Sequence, residues 1–137
     1  MAHCPELAMS LTQKLINEGK DAVDEMLAGI IAAHPEHLWR PDGSTRCIVA
    51  KTGPRTGKVG LVIGGGSGHE PTFLGFVGSG LADAAAIGNV FASPPPQPAV
   101  DAAMAANGDA GVLFMYGNYA GDVMNFDMAS ELLEMEG

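Results

Sequence analysis

The stretch that decides the fold is Lys58-Val-Gly-Leu-Val-Ile63, which runs directly into Gly64-Gly-Gly-Ser-Gly-His-Glu-Pro71. The first six residues are mostly apolar and predict a buried strand. Four glycines in the next five residues exceed what a tight turn needs, so a ligand-binding loop is expected over residues 64–68. A helix is expected to start at Pro71, because proline suits the first helical position. Its inner face would carry Phe73, Leu74, Phe76 and Val77.

Predicted helices and strands alternate along the rest of the chain. Apolar residues at helical spacing predict a helix that starts at Asn17 as its N-cap and ends before Pro35; these residues are Val23, Met26, Leu27, Ile30 and Ile31. Further strands are predicted at residues 46–51, 83–87 and 111–116, and helices at residues 97–106 and 123–134. This alternation predicts an α/β fold with a mostly parallel sheet and flanking helices in three layers, whose strand-to-helix loops share one edge.

Length and composition favour one ordinary domain. The chain has 137 residues, of which 47% are apolar and 17% charged, and this balance excludes a disordered chain. The 19 glycines show no Gly-X-Y period, and no apolar run approaches the length of a membrane span. No repeat or linker marks a second domain.

The charges are distributed unevenly. All seven basic residues lie within the first 58 positions, and the chain from Val59 onwards has nine acids and no Lys or Arg. This distribution argues against nucleic-acid binding and against a basic membrane-binding patch. Cys4 and Cys47 have no C-x-x-C spacing, and the first residues lack the pattern of a signal peptide. We therefore expect reduced thiols and a cytoplasmic location.

The familiar glycine motifs do not match. A dinucleotide fingerprint would need glycine at His69 or at Pro71, and Gly57-Lys58 is followed by Val59, not by the Ser or Thr of a P-loop. A nucleophile elbow centred on Ser67 fails because position 69 is His. A small neutral ligand rich in hydroxyl groups therefore fits this region better than a nucleotide.

His69 and Asp122 are the candidate catalytic residues. Each follows a predicted strand, and if those strands are neighbours, the two side chains meet at one edge of the sheet. A His and Asp combination can activate a hydroxyl group. The alternatives are helix capping for His69 and an ordinary N-cap for Asp122, whereas Glu70 fits a charge in a first helical turn.

Other polar residues near the glycines carry weaker signals. Ser67 either binds the ligand or holds the loop. The remaining histidines His3, His34 and His37 lack metal-ligand spacing, so no metal site is expected.

At these residues the sequence resembles the dihydroxyacetone kinase family, in the N-terminal part of its ketose-binding K-type subunit or domain. The matching motifs are Gly64-Gly-Gly-Ser-Gly-His-Glu-Pro71, Phe91-Ala-Ser-Pro94, Asn118-Tyr-Ala-Gly-Asp122 and Met124-Asn-Phe126. The resemblance covers residues 15–137 and leaves residues 1–14 as an N-terminal extension. It implies an α/β segment that is truncated relative to the family's two-lobed subunit.

The resemblance implies phosphoryl transfer to a terminal hydroxyl group of a short ketose. Gly65, Gly66, Ser67 and Gly68 would bind the ketose, His69 would contact its hydroxyl, and Asp122 would be the acid/base residue. This segment would bind no cofactor itself. The phosphate would come from ATP-Mg on a nucleotide-binding kinase domain or subunit, or from a phosphocarrier of the sugar phosphotransferase system. A homodimer is also expected.

Two departures from the family pattern open alternatives. Gly117 stands where bacterial members usually carry Lys, which suggests a different ketose such as erythrulose or a different donor arrangement. The family's histidine that forms a hemiaminal with the ketone has no match here, so these residues alone are expected to be inactive. The other function considered is a non-enzymatic ketose-binding or regulatory module.

Overall fold

The structure, a computed structural model, describes residues 15–44 and 46–136. The predicted N-terminal extension, residues 1–14, lies outside the described residues. The elements follow in the order α1 (Ala22–Ala33), β1 (Leu38–Trp39), β2 (Cys47–Ala50), β3 (Gly60–Ser67), a 3₁₀ turn (Leu74–Phe76), β4 (Ala84–Val90), α2 (Pro96–Ala106), β5 (Val112–Tyr116) and α3 (Ala120–Glu136).

All five strands belong to one sheet, in the order β1-β2-β4-β3-β5. Strand β3 lies between β4 and β5 and pairs in parallel with both. Strand β2 is antiparallel to its neighbours β1 and β4. Strands β1, β3, β4 and β5 therefore run in one direction and β2 opposes them, which confirms the predicted α/β fold with a mostly parallel sheet.

Helices cover both faces of the sheet, as the three-layer prediction requires. Val23 and Leu27 of α1 pack on one face, together with Ile63 of β3. On the other face Val62 packs with residues of α2 and with Phe126 of α3. Neighbouring residues of β3 thus point to opposite faces, as the pleat of a strand requires. Within the described residues, no helix combines the length and apolar character that crossing a bilayer requires.

The glycine-rich segment is strand, not loop, so the expected loop over residues 64–68 is wrong for all but its last residue. Strand β3 continues to Ser67, and Gly64 and Gly65 pair with Ala86 and Ile87 of β4. Glycine gives no hydrophobic signal for a strand, but its backbone pairs like any other. A Cβ at Gly64 would lie 2.7 Å from Cζ of Phe126, so the glycine permits close packing of α3 on the sheet.

The helix predicted from Pro71 does not form. Turns occupy residues 69–73, and the 3₁₀ turn Leu74–Phe76 follows. Phe73 has a φ of 66°, a left-handed conformation that interrupts any helix. Leu74 is buried, whereas Phe76 is exposed, so the expected inner face forms only in part.

Helix α1 starts later than predicted. Its first residue is Ala22 and its N-cap is Asp21, so Asn17 is not the cap. Residues 18–21 form a turn closed by the bond from the Asp21 N–H to the Glu18 carbonyl, and Gly19 within it disfavours helix. The other predicted helices and strands are present, and their ends differ by a few residues.

A partly buried ion pair, between the exposed Arg55 and the buried Asp83, lies at the amino ends of β3 and β4. Asp83, only 5% exposed, precedes β4 directly. One of its oxygens accepts a hydrogen bond from Arg55 at 2.9 Å, and the other accepts one from the Leu61 backbone N–H at 2.9 Å. The carboxylate therefore fastens the loop before β3 to the sheet.

The thiol of Cys47 is fully buried in β2. Burial disfavours the thiolate and raises the pKa of Cys47 to about 11. Ser44 lies at hydrogen-bond distance from its sulfur, 3.0 Å from Oγ to Sγ. The thiol is therefore protonated and shielded at neutral pH.

Candidate functional site

A cleft of about 580 Å³ lies where the carboxyl ends of β3, β4 and β5 meet. These three strands are neighbours and run in parallel, so the segments that follow them emerge at one edge, the usual ligand position in such sheets. The cleft is lined by Gly66, His69, Thr72, Phe73, Phe91, Ala92, Ser93, Gly117, Tyr119, Gly121 and Asp122.

The structure brings His69 and Asp122 to this one cleft. His69 follows β3 by two residues, and Asp122 lies in the first turn of α3, which follows β5. The sequence predicts that the two side chains meet if the strands that precede them are neighbours. Strands β3 and β5 pair directly, so this condition is fulfilled.

Asp122 is buried and incompletely satisfied. Asp122 is 7% exposed, and its Oδ1 has no hydrogen-bond partner among the described residues. A buried acceptor without a partner costs about 1–3 kcal/mol, so it requires an explanation. Asp122 lies in the first turn of α3, where the positive end of the helix dipole attracts negative charge. Asp122 is the third residue of α3, so the N-cap interpretation is wrong.

Two aromatic rings contact His69 edge-on. The ring centroid of Phe91 lies 5.2 Å from that of the imidazole, and that of Phe73 lies 6.4 Å away. The capping interpretation of His69 is wrong, because turns and a short 3₁₀ segment follow it instead of an α-helix. Because no α-helix follows, Glu70 does not lie in a first helical turn. Its carboxylate instead accepts a hydrogen bond from the Gly68 N–H at 2.8 Å.

The glycines and serine expected to bind the ligand occupy different places. Gly66 lines the cleft, whereas Gly65, Ser67 and Gly68 are outside its lining. The Ser67 hydroxyl donates to the Gly88 carbonyl at 2.7 Å, so its proton holds β3 to β4.

Residues 92–94 follow β4 and form a wall that lies directly on the backbone of the sheet. A Cβ at Gly66 would lie 2.7 Å from the Ala92 nitrogen, and one at Gly88 would lie 2.6 Å from the Pro94 nitrogen. On its other side this wall contacts α3, where the Asn125 amide donates to the Ser93 hydroxyl at 3.2 Å. The position of residues 92–94 is therefore fixed from both sides.

Several lining residues were not predicted as site residues. Phe91 to Ser93 and Tyr119 belong to motifs that the sequence displays, so the motifs were the signal that pointed to them. Thr72 carried no signal, and Phe73 was expected to face the core instead. The lining residues of the cleft include no Lys or Arg.

Gly117 leaves space beside the Asp122 carboxylate. A Cβ at position 117 would lie 3.5 Å from Oδ2 of Asp122 and 3.5 Å from the Tyr119 ring, both ordinary contact distances. A side chain at this position would therefore emerge next to the carboxylate.

Curated relatives match most of the chain. It is 48% identical over 125 residues to a protein of Listeria innocua described as the dihydroxyacetone-binding subunit DhaK of PTS-dependent dihydroxyacetone kinase 2. It is 47% identical over 124 residues to the D-erythrulose kinase of Mycolicibacterium smegmatis. The matches cover 91% and 90% of this chain but only 38% and 21% of those proteins, so the chain spans well under half of their length.

Solved structures share the fold. The dihydroxyacetone kinase of C. freundii in complex with AMP-PNP and Mg²⁺ superposes with a TM-score of 0.83 at 37% identity, over 91% of this chain and 24% of that one. The dihydroxyacetone kinase operon co-activator Dha-DhaQ gives a TM-score of 0.73 at 33% identity, over 82% of this chain and 34% of that one.

A family model covers most of the described residues. The Dak1 domain matches residues 28–137, which include all five strands, the whole cleft and α3. These findings confirm the resemblance to the K-type part of dihydroxyacetone kinases that the motifs carry. The chain belongs to the Dak1 domain family.

Proposed function

We propose that this chain is the ketose-binding part of a dihydroxyacetone-kinase-type phosphotransferase. The cleft binds a short ketose, and a terminal hydroxyl group of the ketose receives the phosphoryl group. The observation that carries the proposal is the buried Asp122 carboxylate, which lines the same cleft as His69 and whose Oδ1 lacks a partner among the described residues.

Asp122 acts as the acid/base residue. Its free carboxylate oxygen accepts the hydrogen bond of the ketose hydroxyl and takes the proton as the new P–O bond forms. The bond between phosphorus and the donor breaks in the same step, and the donor leaves with its electron pair. Such transfer depends mainly on positioning and on electrostatic stabilisation, so a correctly placed acceptor site makes a large contribution.

His69 orients the substrate within the same cleft. An imidazole can donate or accept one hydrogen bond at each nitrogen, so it is suited to fix a hydroxyl beside the carboxylate. The bare backbone at Gly66 allows a three- or four-carbon ligand to lie close to β3.

The phosphoryl donor binds to a partner. The lining residues of the cleft supply no cation that would neutralise a polyphosphate, which supports a site for the acceptor only. A nucleotide-binding kinase domain or subunit with ATP-Mg, or a phosphocarrier of the sugar phosphotransferase system, would supply the phosphoryl group. The relatives include both a subunit of a PTS-dependent kinase and a D-erythrulose kinase, and homodimer formation stays a prediction.

The test is phosphorylation of short ketoses by the full-length protein. Dihydroxyacetone and D-erythrulose are each offered with ATP-Mg and its kinase domain, and with the reconstituted phosphocarrier system. We expect turnover with at least one pair, and the ratio of kcat/KM values identifies the preferred ketose. The absence of turnover with every pair would overturn the proposal.

Side-chain variants test the assigned roles. Asp122→Asn and His69→Asn are expected to lower kcat strongly while the free energy of unfolding changes little. Glu131→Gln is the matched control, because Glu131 is an exposed acid on the same helix outside the cleft lining. Equal losses of kcat in all three variants would contradict the roles given to Asp122 and His69.

A regulatory ketose-binding module is the second candidate. The likeness to the co-activator Dha-DhaQ favours it, because that protein's description names a regulatory role. Isothermal titration with dihydroxyacetone distinguishes the two functions. Ketose binding without turnover in the full-length protein would favour the regulatory module.

A further inference from the structure

Two phenylalanines beside His69 have an unusual backbone conformation. Phe73 has a φ of 66° and Phe91 a φ of 52°, both in the left-handed region that bulky residues rarely adopt. Such conformations cost free energy and persist only where the surroundings enforce them, commonly at functional sites. Both of these residues line the cleft, and both place their rings against the same imidazole.

Each ring occupies space that a glycine leaves open. The Phe73 ring lies over Gly65, where any Cβ would collide with it, and a Cβ at Gly68 would lie 2.7 Å from Cε1 of Phe91. Two glycines of the motif therefore serve to seat the aromatic rings. This explains why Gly65 and Gly68 are needed although neither lines the cleft.

Hydrogen bonds hold the backbone of both phenylalanines. The Phe91 N–H donates to the Ser67 carbonyl at 2.8 Å, and the Phe73 carbonyl accepts from the Phe76 N–H at 3.0 Å. The turn before Phe91 is closed by the bond from the Ala92 N–H to the Asn89 carbonyl at 3.1 Å. The rings are thus held on fixed backbone.

Burial does not account for Phe91. The residue is 70% exposed, so its ring contributes little to the core although its backbone is strained. The imidazole, in turn, forms no hydrogen bond with any of the described residues. The edge contacts with Phe73 and Phe91 are therefore available to orient it.

We propose that Phe73 and Phe91 are positioning residues that clamp the His69 imidazole between their rings and hold it in the cleft. The importance of this clamp for ketose binding rests on the proposed function. The clamp keeps the imidazole ready for a hydroxyl group without using either ring nitrogen, so both nitrogens stay available to the substrate.

The clamp is tested by NMR of the full-length protein. The Cε1–Hε1 signal of His69, assigned by its loss in His69→Asn, reports the ring currents of the neighbouring phenylalanines. Phe91→Leu and Phe73→Leu are expected to shift this signal by about 0.2 ppm or more, and Phe91→Tyr is expected to preserve it because the ring remains. Phe76→Leu is the matched control, since Phe76 is exposed and outside the cleft lining.

Binding and stability supply the second readout. Phe91→Leu is expected to weaken dihydroxyacetone binding about fivefold or more, whereas Phe91→Tyr retains it. Phe91→Gly is expected to weaken binding as much, yet to melt at or above the wild-type temperature, because glycine relieves the left-handed strain. A purely structural role of Phe91 predicts the opposite change in melting temperature.

Failure of the clamp and failure of the proposed function give different results. An unchanged His69 signal in both Leu variants overturns the clamp even if the ketose binds. A shifted signal in a protein that neither binds nor phosphorylates any ketose supports the clamp and refutes the proposed function. A shift in Phe76→Leu as large as in Phe91→Leu also overturns the clamp.

Discussion

Asp83 and Asp122 are both buried carboxylates, and they lie at opposite ends of the central strands. Asp83 precedes β4 at the amino end, and Asp122 follows β5 at the carboxyl end. Both oxygens of Asp83 have partners, from Arg55 and from the Leu61 N–H. One oxygen of Asp122 has none among the described residues.

The difference separates stabilisation of the fold from function. A buried carboxylate whose two oxygens are both paired within the chain is held by the fold, and its loss is felt as lost stability. A buried carboxylate with an unpartnered oxygen is costly to the folded chain, and in the proposed function the ketose hydroxyl offsets this cost. Burial alone therefore does not distinguish the two aspartates, whereas their hydrogen bonds do.

The largest expected effect is on turnover. Asp122→Asn is expected to lower kcat of the full-length enzyme by about 100-fold or more, because the amide cannot accept the proton of the ketose hydroxyl. Its free energy of unfolding should change by less than about 0.5 kcal/mol. Asp83→Asn should retain kcat when activity is expressed per folded molecule. A loss of kcat as large as that of Asp122→Asn would contradict the distinction drawn between the two aspartates.

The second effect is on stability. Asp83→Ala removes the partner of the Leu61 N–H and of Arg55, and we expect a loss of about 2–3 kcal/mol in urea unfolding. Asp122→Ala removes a carboxylate that is only partly satisfied, so its stability should equal or exceed that of the wild type. If Asp122→Ala is less stable than the wild type, Asp122 has a structural role that its hydrogen bonds do not reveal.

Burial of the Cys47 thiol in β2 predicts a pH dependence of stability. The thiol pKa of Cys47 is about 11 in the fold against 9.0 for an ordinary cysteine, so the unfolded chain loses its proton first as the pH rises. Its contribution to stability is complete below pH 9 and is lost between pH 9 and 11, by about 1–2 kcal/mol. Urea unfolding at several pH values measures the slope, and Cys47→Ala should flatten it, whereas an unchanged slope would contradict the assignment to this thiol.

The smallest expected effect comes from a variant that gives Asp122 a neighbouring cation, as Asp83 already has. Gly117→Lys introduces a cation beside Asp122, as Arg55 stands beside Asp83, and is expected to stabilise the fold by about 0.5 kcal/mol at low salt. The gain should disappear in the Asp122→Asn background, which a double-mutant cycle measures. A gain that persists there would show that the new side chain acts without the carboxylate.

The sequence predicted the elements whose side chains carry a clear pattern. The apolar runs of β2 and β5 and the apolar spacing of α1 gave their positions within a few residues. The glycines of β3 hid the end of that strand, because pairing with β4 decides its conformation there and glycine carries no signal of pairing. The missing helix after Pro71 has a similar cause, since the conformation of Phe73 depends on contacts distant in sequence.

The candidate site was predictable in part. His69 and Asp122 stood out because polar groups at the ends of neighbouring parallel strands converge, and their shared cleft follows from the strand order. The roles of Phe73 and Phe91 were hidden, because an aromatic residue in a sequence indicates a core. Only the backbone angles and the ring contacts with His69 suggest another use for them.

The contact between Gly88 and the wall at Ala92 and Pro94 has a consequence for engineering. Any side chain at position 88 would collide with residues 92–94, of which Ala92 and Ser93 line the cleft, although Gly88 itself is not part of the lining. Mutant libraries confined to residues that face the ligand would therefore leave out a position that packs against a wall of the cleft. Saturation of such hidden positions, combined with compensating changes at Ala92, offers a route to altered substrate size that no inspection of the cleft surface suggests.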